Sequence, residues 1–326
     1  MTARWAILGA GAISRDFVNG LTHATLGHLH AVGARSAADA RTFADAHGAV
    51  VAGTYEEILE RDDVDAVYIG TVHTTHGELA IAALEAGKAV LCEKPLTTTP
   101  ADTDAVCAVA ARTGLPLVEA FKYRFGPFPE LLRRRIEDGA IGEVTEVVTT
   151  IGFTATERSG RLFDPAVAGG AILDAGCYPV SLAVGVAAWA GQSLEGARVR
   201  SADGTVGDTG VDETASAVLQ LGAVTARVRT AIVEDLPRSA RIVGTSGEIE
   251  VPNVWGSRQQ STDAAVLRRP DGTVEHLTAE TLNPMGAEAD AVIAALRDGR
   301  TEAPEMPWAQ TRVIARLLED WRRALD

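Results

Sequence analysis

From residue 5 to residue 121 the chain alternates between short β-rich apolar runs and stretches of helical period, and few architectures accept that rhythm. Residues 5–8, 29–34, 50–51, 66–69, 89–91 and 117–118 read as strands, and residues 13–21, 37–46, 79–86 and 101–112 as helices. In the first helix the apolar side chains Ile13, Phe17, Val18 and Leu21 recur with a helical period. Gly87 and Gly114 follow two of the helices where a left-handed cap is wanted. The strands are almost continuously apolar, as strands covered on both faces must be. This half of the chain is predicted to be a doubly wound parallel sheet.

The rhythm breaks after Phe121. Residues 130–136 read as a helix, 144–153 as a long strand, 154–170 as a loop rich in charge and glycine, and 172–190 as a helix. Alternating runs follow at 197–201, 214–221, 225–233, 240–243, 249–251, 264–268 and 274–277. Gly222-Ala223, Ser246-Gly247 and Asp271-Gly272 supply hairpin turns between some of them. Helices at 285–296 and 310–325 complete the chain. The expected class is α/β, with a Rossmann domain at 1–121 and an α+β domain at 122–326 built on a large, open, mostly antiparallel sheet.

A net charge of −14 argues against a nucleic-acid or anionic-membrane surface, since phosphate binding needs local positive charge. Arg133-Arg134-Arg135 reads as a solvated helix face. The three cysteines, Cys92, Cys107 and Cys177, are odd in number and match no metal spacing, so they read as reduced core thiols of a cytoplasmic protein, and no metal site is expected. No charged-then-apolar leader precedes the first strand, and the most apolar segment, 180–190, is too short to span a membrane and reads as a buried helix.

Gly9-Ala10-Gly11-Ala12-Ile13-Ser14 joins the first strand to the first helix. The first glycine permits the tight turn, and the second lets a pyrophosphate approach the backbone at a helix N-terminus. Serine takes the third position, small enough for helix–strand packing. In this context the pattern predicts dinucleotide binding by Gly9, Gly11, Ala12 and Ile13. At the end of the second strand an acidic residue would hold the ribose of NAD. This chain has Arg35-Ser36 instead, with Arg41 one helical turn on, which suits the 2′-phosphate of NADP better than NAD. The alternative is that Arg35 stacks on adenine and accepts either cofactor.

Thr71 to His76 follows the fourth strand, placed to cover the nicotinamide. Thr71, His73 and His76 are therefore candidate contacts, although a histidine at such a junction also serves as a cap or structural donor. Glu93-Lys94-Pro95 ends the fifth strand, at the edge where open α/β sheets bind ligands. A plain Glu–Lys pair is the alternative there. In the second half Asp174 and Tyr178 are spaced i, i+4, which puts both on one face of a helix. Oxidising a carbinol needs a base for the hydroxyl proton, and a tyrosine beside an ammonium group has a stabilised phenolate. Lys94, Asp174 and Tyr178 are the candidate catalytic set.

Gly9-Ala10-Gly11, Glu93-Lys94-Pro95 and Gly169-Gly170…Asp174…Tyr178 resemble the glucose–fructose oxidoreductase/inositol dehydrogenase (Gfo/Idh/MocA) family over nearly the whole chain. The likeness is greatest to the dimeric dihydrodiol dehydrogenase and NADP-dependent D-xylose dehydrogenase branch. Val90 to Pro95, Gly176-Cys177-Tyr178, Gly210 to Thr214, and Gly244 to Gly247 leading to Trp255 support that branch. Inositol dehydrogenases carry histidine where this chain has Tyr178. The resemblance implies a dehydrogenase of sugars, polyols or trans-dihydrodiols, with Tyr178 as general acid/base, Lys94 as its partner and Asp174 orienting the substrate hydroxyl. It further implies 2′-phosphate contacts from Ser36 and Arg41, and Phe153 and Trp255 in the substrate cavity. A homodimer or homotetramer assembled through the second sheet is also implied. One segment departs from the family pattern. Lys122 stands where methionine or tryptophan is common and Gly126 where histidine is common, and this junction, with Arg124, is expected to face the substrate. Two other readings remain open: an NAD-dependent glycosidase working through transient oxidation, which Arg35-Ser36 disfavours, and a non-catalytic dinucleotide sensor, which need not keep a lysine–tyrosine pair.

Overall fold

A computed structural model describes residues 2–256 and 259–325. The first half runs β1 (Ala3–Leu8), α1 (Ala12–Leu21), β2 (Gly27–Ala34), α2 (Ala37–His47), β3 (Val51–Thr54), α3 (Tyr55–Leu59), β4 (Ala66–Ile69), α4 (His76–Glu85), β5 (Ala89–Glu93), α5 (Pro100–Thr113) and β6 (Leu117–Ala120). The six strands form one parallel sheet in the order β3-β2-β1-β4-β5-β6. The order reverses between β1 and β4, which opens a crevice at their carboxyl ends. Every residue of β4 and β5 is buried, as continuous apolar runs demand. Phe17 fixes α1 to the sheet by stacking on Tyr68, with ring centroids 3.8 Å apart and planes 4° from parallel.

Two local departures from the expected elements have physical causes. The third strand begins at Val51 and leads directly into α3, a helix the apolar periodicity does not show. Its signal is a capping box, in which Thr54 accepts from the Glu57 amide while the Glu57 carboxylate accepts from the Thr54 amide. The stretch expected as one strand over 225–233 is two, β10 (Val224–Ala231) and β11 (Val233–Leu236). They divide at Ile232, whose side chain turns into a small separate cluster with Phe163, Ala171 and Val211.

The second half adds α6 (Pro127–Glu137), β7 (Val144–Thr154), α7 (Cys177–Trp189), β8 (Arg198–Val206) and β9 (Asp212–Leu221) before β10 and β11. It closes with β12 (Ala240–Gly244), β13 (Gly247–Val251), β14 (Ser261–Arg268), β15 (Val274–Thr281), α8 (Pro284–Arg297) and α9 (Trp308–Arg323). Among the described residues nine strands form a second sheet, β15-β14-β13-β12-β7-β10-β9-β8 with β11 beside β7. It is mostly antiparallel, the exception being the parallel pair β7–β10. The helix expected over 172–190 is composite. A π-turn spans Ile172–Gly176, and α7 continues from Cys177. The segment Pro165–Trp189 is long and apolar enough by composition to cross a membrane, but 89% of its most apolar window is buried inside the fold, where it packs as a core helix. Helices α8 and α9 return to the first sheet, α8 against α1 and β5, and α9 against α5 and α7. The Trp308 indole donates to the Leu117 carbonyl at 2.9 Å, tying α9 to β6.

Candidate active site

The turn after β1 is shaped for a phosphate. Gly9 has φ +107°, and a side chain there would stand 2.8 Å from the Gly70 carbonyl across the crevice. At Gly11, the N-cap of α1, the nearest atom to an added carbon is the Gly70 oxygen at 3.7 Å, so the approach to the helix N-terminus is uncrowded at this residue. Ser14, in the third position, is fully buried and its hydroxyl donates to the Gly9 carbonyl at 2.5 Å. Gly70 makes room for it, since a side chain there would lie 2.5 Å from the Ser14 hydroxyl. The serine departure is therefore a lock on the turn. Thr71 lines the opposite wall, its hydroxyl accepting from Thr75. These residues fit a dinucleotide pyrophosphate.

Beyond the turn, Arg35 is exposed at the end of β2 and Ser36 caps α2, accepting from the Asp39 amide at 3.2 Å. Arg41 is exposed, with its guanidinium 3.8 Å from Asp45. A helix N-terminus flanked by two exposed cations and a hydroxyl is a ready anion site.

The two histidines after β4 part company. His76 is buried, and both ring nitrogens face carbonyls, Pro95 at 2.9 Å and Thr71 at 3.3 Å. It braces the β4 and β5 loops against each other, which is the structural role. Burial pushes its pKa down to about 4 from 6.5. Below pH ~6.5 the unfolded chain binds a proton that the fold refuses, so the stability His76 contributes at neutral pH is lost as pH falls toward about 4. His76→Gln is expected to flatten that dependence, closing about 3 kcal/mol of the gap to the parent between pH 6.5 and 4. Urea unfolding at several pH values measures it, and parallel slopes in the two proteins would count against this role. His73 does stay at the site. Its Nδ1 lies 3.3 Å from the Ala168 carbonyl and its Nε2 4.0 Å from the Asp174 carboxylate. Burial, with Lys94 and His76 adding to it, pushes the His73 pKa down to about 3, so the ring is neutral.

Glu93 points to the inner side of β5, accepting from the Tyr68 hydroxyl at 2.7 Å and from the Lys94 amide at 3.2 Å. Lys94 follows, joined to Pro95 by a cis peptide, and its side chain turns across to the second half of the chain. The Lys94 Nζ donates to the Asp174 backbone carbonyl at 2.6 Å and lies 5.1 Å from the centre of the Tyr178 ring. Asp174 lies within the π-turn, a winding common at functional sites, and its carbonyl faces the ammonium. Burial opposes the charge on Lys94, but the surrounding Cys177, Asp174, Tyr178 and Glu93 outweigh it and hold the ammonium above its ordinary pKa. The Asp174 carboxylate is similarly opposed by burial and held below its usual range by Lys94 and Arg161. Asp212 fixes the start of the π-turn by accepting from the Ile172 amide at 2.6 Å. A side chain at Gly170 would stand 2.4 Å from the Asp212 carboxylate, which requires glycine there.

Trp255 is buried against Tyr178, edge to face at 5.6 Å, and its indole donates to the Thr150 carbonyl at 2.9 Å. Tyr123 completes the aromatic wall, 5.2 Å from Trp255 and 6.0 Å from Tyr178. Phe153 lies at the end of β7, partly buried against the cluster around Phe163.

Two residues expected to face the substrate do not. The Lys122 ammonium is buried and donates to the Trp255 carbonyl at 2.6 Å. Arg124 is buried and donates to the Ser181 carbonyl at 2.6 Å and the Gln310 side chain at 2.9 Å. Both knit the domain junction together. Desolvating a cation is tolerated only when its donors are satisfied, and here they are spent on α7, α9 and the Trp255 loop. One residue was missed. Arg161, on a short 3₁₀ turn in the loop before the π-turn, donates to the Asp174 carboxylate at 2.7 Å. Its only sequence signal is a cation shortly before the Gly169-Gly170 pair. Among the described residues no cluster of His, Cys, Asp or Glu could hold a metal ion.

Residues 3–121 match the family model described as "Oxidoreductase family, NAD-binding Rossmann fold", and residues 130–250 match the GFO/IDH/MocA C-terminal domain. The chain is 33% identical over 328 residues to the trans-1,2-dihydrobenzene-1,2-diol dehydrogenase of Xenopus tropicalis, covering 98% of this chain and 97% of that protein. The enzyme of the same name from Mus musculus is 32% identical over 330 residues, covering 100% and 97%. Among solved structures, KijD10, a 3-ketoreductase from Actinomadura kijaniata in complex with NADP and TDP-benzene, aligns with a TM-score of 0.88 at 25% identity, covering 100% of this chain and 98% of that one. The aldose–aldose oxidoreductase from Caulobacter crescentus, complexed with glycerol, aligns with a TM-score of 0.86 at 25% identity, covering 99% and 97%.

Proposed function

The chain belongs to the GFO/IDH/MocA oxidoreductase family, and from that premise we propose that it is an NADP(H)-dependent dehydrogenase of a sugar, polyol or trans-dihydrodiol, with Tyr178 as general acid/base. The observation that carries the reading is the Lys94 ammonium, set between the Asp174 carbonyl and the Tyr178 ring beside the dinucleotide crevice. When bound, the nicotinamide supplies the acceptor for a hydride from the carbinol carbon, or the donor in the reverse direction. Tyr178 takes the hydroxyl proton on oxidation and returns it on reduction. Lys94 stabilises the negative charge that forms on the Tyr178 oxygen as the proton leaves. Asp174, held ionised, accepts a hydrogen bond from the substrate and keeps the carbinol oriented. The buried rings of Trp255 and Tyr123 pack beside Tyr178, limiting the water around it.

Arg35, Ser36, Arg41 and the absence of a carboxylate at the end of β2 support NADP over NAD. Isothermal calorimetry is expected to give at least tenfold tighter binding of NADP+ than NAD+, about 1.4 kcal/mol, and Arg35→Ala with Arg41→Ala should remove most of the difference. Equal affinities in the parent would withdraw the preference. Assembly as a homodimer or homotetramer through the second sheet belongs to the same proposal, as does a cytoplasmic location, which the three buried free thiols support. Light scattering of the purified protein tests the assembly.

A further inference from the structure

Asp174 carries two cations where neutralisation needs one. Lys94 holds its backbone carbonyl and contributes its charge from the buried side. Arg161 approaches from the solvent side, with its Nη1 on Oδ1 at 2.7 Å. The Asp174 side chain is 10% exposed and that of Arg161 55% exposed, so the pair spans the boundary between the buried site and the open cleft. A surface arginine recruited only to balance a carboxylate would be redundant beside Lys94.

The position of Arg161 is fixed by the backbone. The Gly170 amide donates to the Leu162 carbonyl at 2.8 Å and the Gly169 amide to the Asp164 carbonyl at 3.0 Å. A side chain at Gly169 would stand 2.6 Å from the Arg161 and Leu162 carbonyls, so the turn sits flush on the glycine pair that leads into the π-turn. Phe163 anchors the turn from the other side in the cluster with Ala171, Val211 and Ile232. The backbone that carries Arg161 and the one that leads to Asp174 therefore rest on each other.

Of the five N–H donors of a guanidinium, this contact uses one, and no other side-chain hydrogen bond of Arg161 is found among the described residues. The same holds for Oδ2 of Asp174. The pair consequently shows an acceptor and a donor side by side at the cleft. That pattern is complementary to one hydroxyl, which donates its proton to the carboxylate and accepts from the guanidinium.

We propose that Arg161 is a specificity-determining residue: its free edge donates to the hydroxyl on the carbon next to the reacting one, while Asp174 accepts a hydrogen bond from that same hydroxyl and leaves the reacting one to Tyr178. This rests on the oxidoreductase reading above and deepens it, because it says which feature of the substrate is read and by what. A site built to hydrogen-bond an oxygen rejects an analogue that lacks it, since its own polar group is then left unpaired.

The test compares trans-1,2-cyclohexanediol with cyclohexanol, using NADP+ and the full-length protein. The parent is expected to favour the diol in kcat/KM by about a hundredfold or more. Arg161→Gln should lower kcat/KM for the diol by about 10- to 100-fold and for cyclohexanol by no more than about threefold, with Arg161→Lys recovering part of the preference. An equal loss on both alcohols overturns the proposal and leaves Arg161 as a holder of Asp174. Circular-dichroism melting of the variant checks folding, which an exposed side chain should leave unchanged. If the parent turns over neither alcohol, the oxidoreductase reading is what fails on these probes. Calorimetric binding of the two alcohols to the protein–NADP+ complex then decides: selective loss of diol affinity in Arg161→Gln upholds the proposal, and any equal response, absence of binding included, overturns it.

Discussion

Tyr178→Phe is expected to lower kcat by about 10²–10⁴-fold while the Kd for NADPH changes less than twofold. The substitution removes one oxygen and keeps the ring, so the packing against Phe121, Tyr123 and Trp255 survives. It also keeps the face over which Lys94 sits. What disappears is the proton acceptor. A group that acts only in the transition state lowers kcat and kcat/KM together, so KM should hold nearly steady. The dinucleotide turn lies across the crevice at Gly9 to Ile13 and does not involve this hydroxyl. Retained turnover would move the proton transfer to Lys94 or His73. Steady-state kinetics with calorimetry on the same preparation separates the outcomes.

Lys94→Met is expected to be nearly as severe, with about a 10³-fold loss in kcat, and to differ in two readouts. The methionine keeps the length of the stem and removes the charge. The Asp174 carbonyl then loses its 2.6 Å partner and keeps the weak Cys177 thiol at 3.8 Å. A buried acceptor stripped of its strong donor costs about 1–3 kcal/mol, so the melting temperature should fall. The Asp174 carboxylate also loses the largest influence holding its pKa down, so it should titrate at higher pH than in the parent. The double variant is expected to be little worse than either single one, because the two groups act on one proton transfer. Additive losses would mean that Lys94 and Tyr178 serve separate steps.

The parallel sheet was legible because burial on both faces forces its strands to be continuously apolar, and the glycine turn because only glycine satisfies its close approach to Gly70. Lys94, Asp174 and Tyr178 were legible as residue types at strand ends and at helical spacing. The way they meet was not. The π-turn leaves no mark in a hydrophobic period, yet it carries the Asp174 carbonyl that accepts from Lys94. Lys122 and Arg124 misled for a related reason. A cation at a domain junction suggests an exposed cleft, and the partners that consume these two lie 57 to 186 residues away in sequence. His76 follows the same logic, with its carbonyl partners on two different loops. Arg161 sits in a loop whose order comes from Phe163 and the glycine pair, and no periodic signal reports such a loop. Elements set by local chemistry could be read along the chain, and long-range satisfaction of buried charge could not.

In the proposed reaction the Lys94–Tyr178 pair beside the dinucleotide crevice exchanges a proton with a hydroxyl during NADP-linked oxidoreduction. The most direct test follows nicotinamide absorbance while the parent protein meets a panel of sugars, polyols and trans-diols with NADP+, with Tyr178→Phe run in parallel. Reduction of NADP+ by at least one polyhydroxylated compound is expected in the parent, with near-complete loss in the variant. A protein that binds NADPH tightly yet changes no compound on the panel, or a variant as active as the parent, would contradict it.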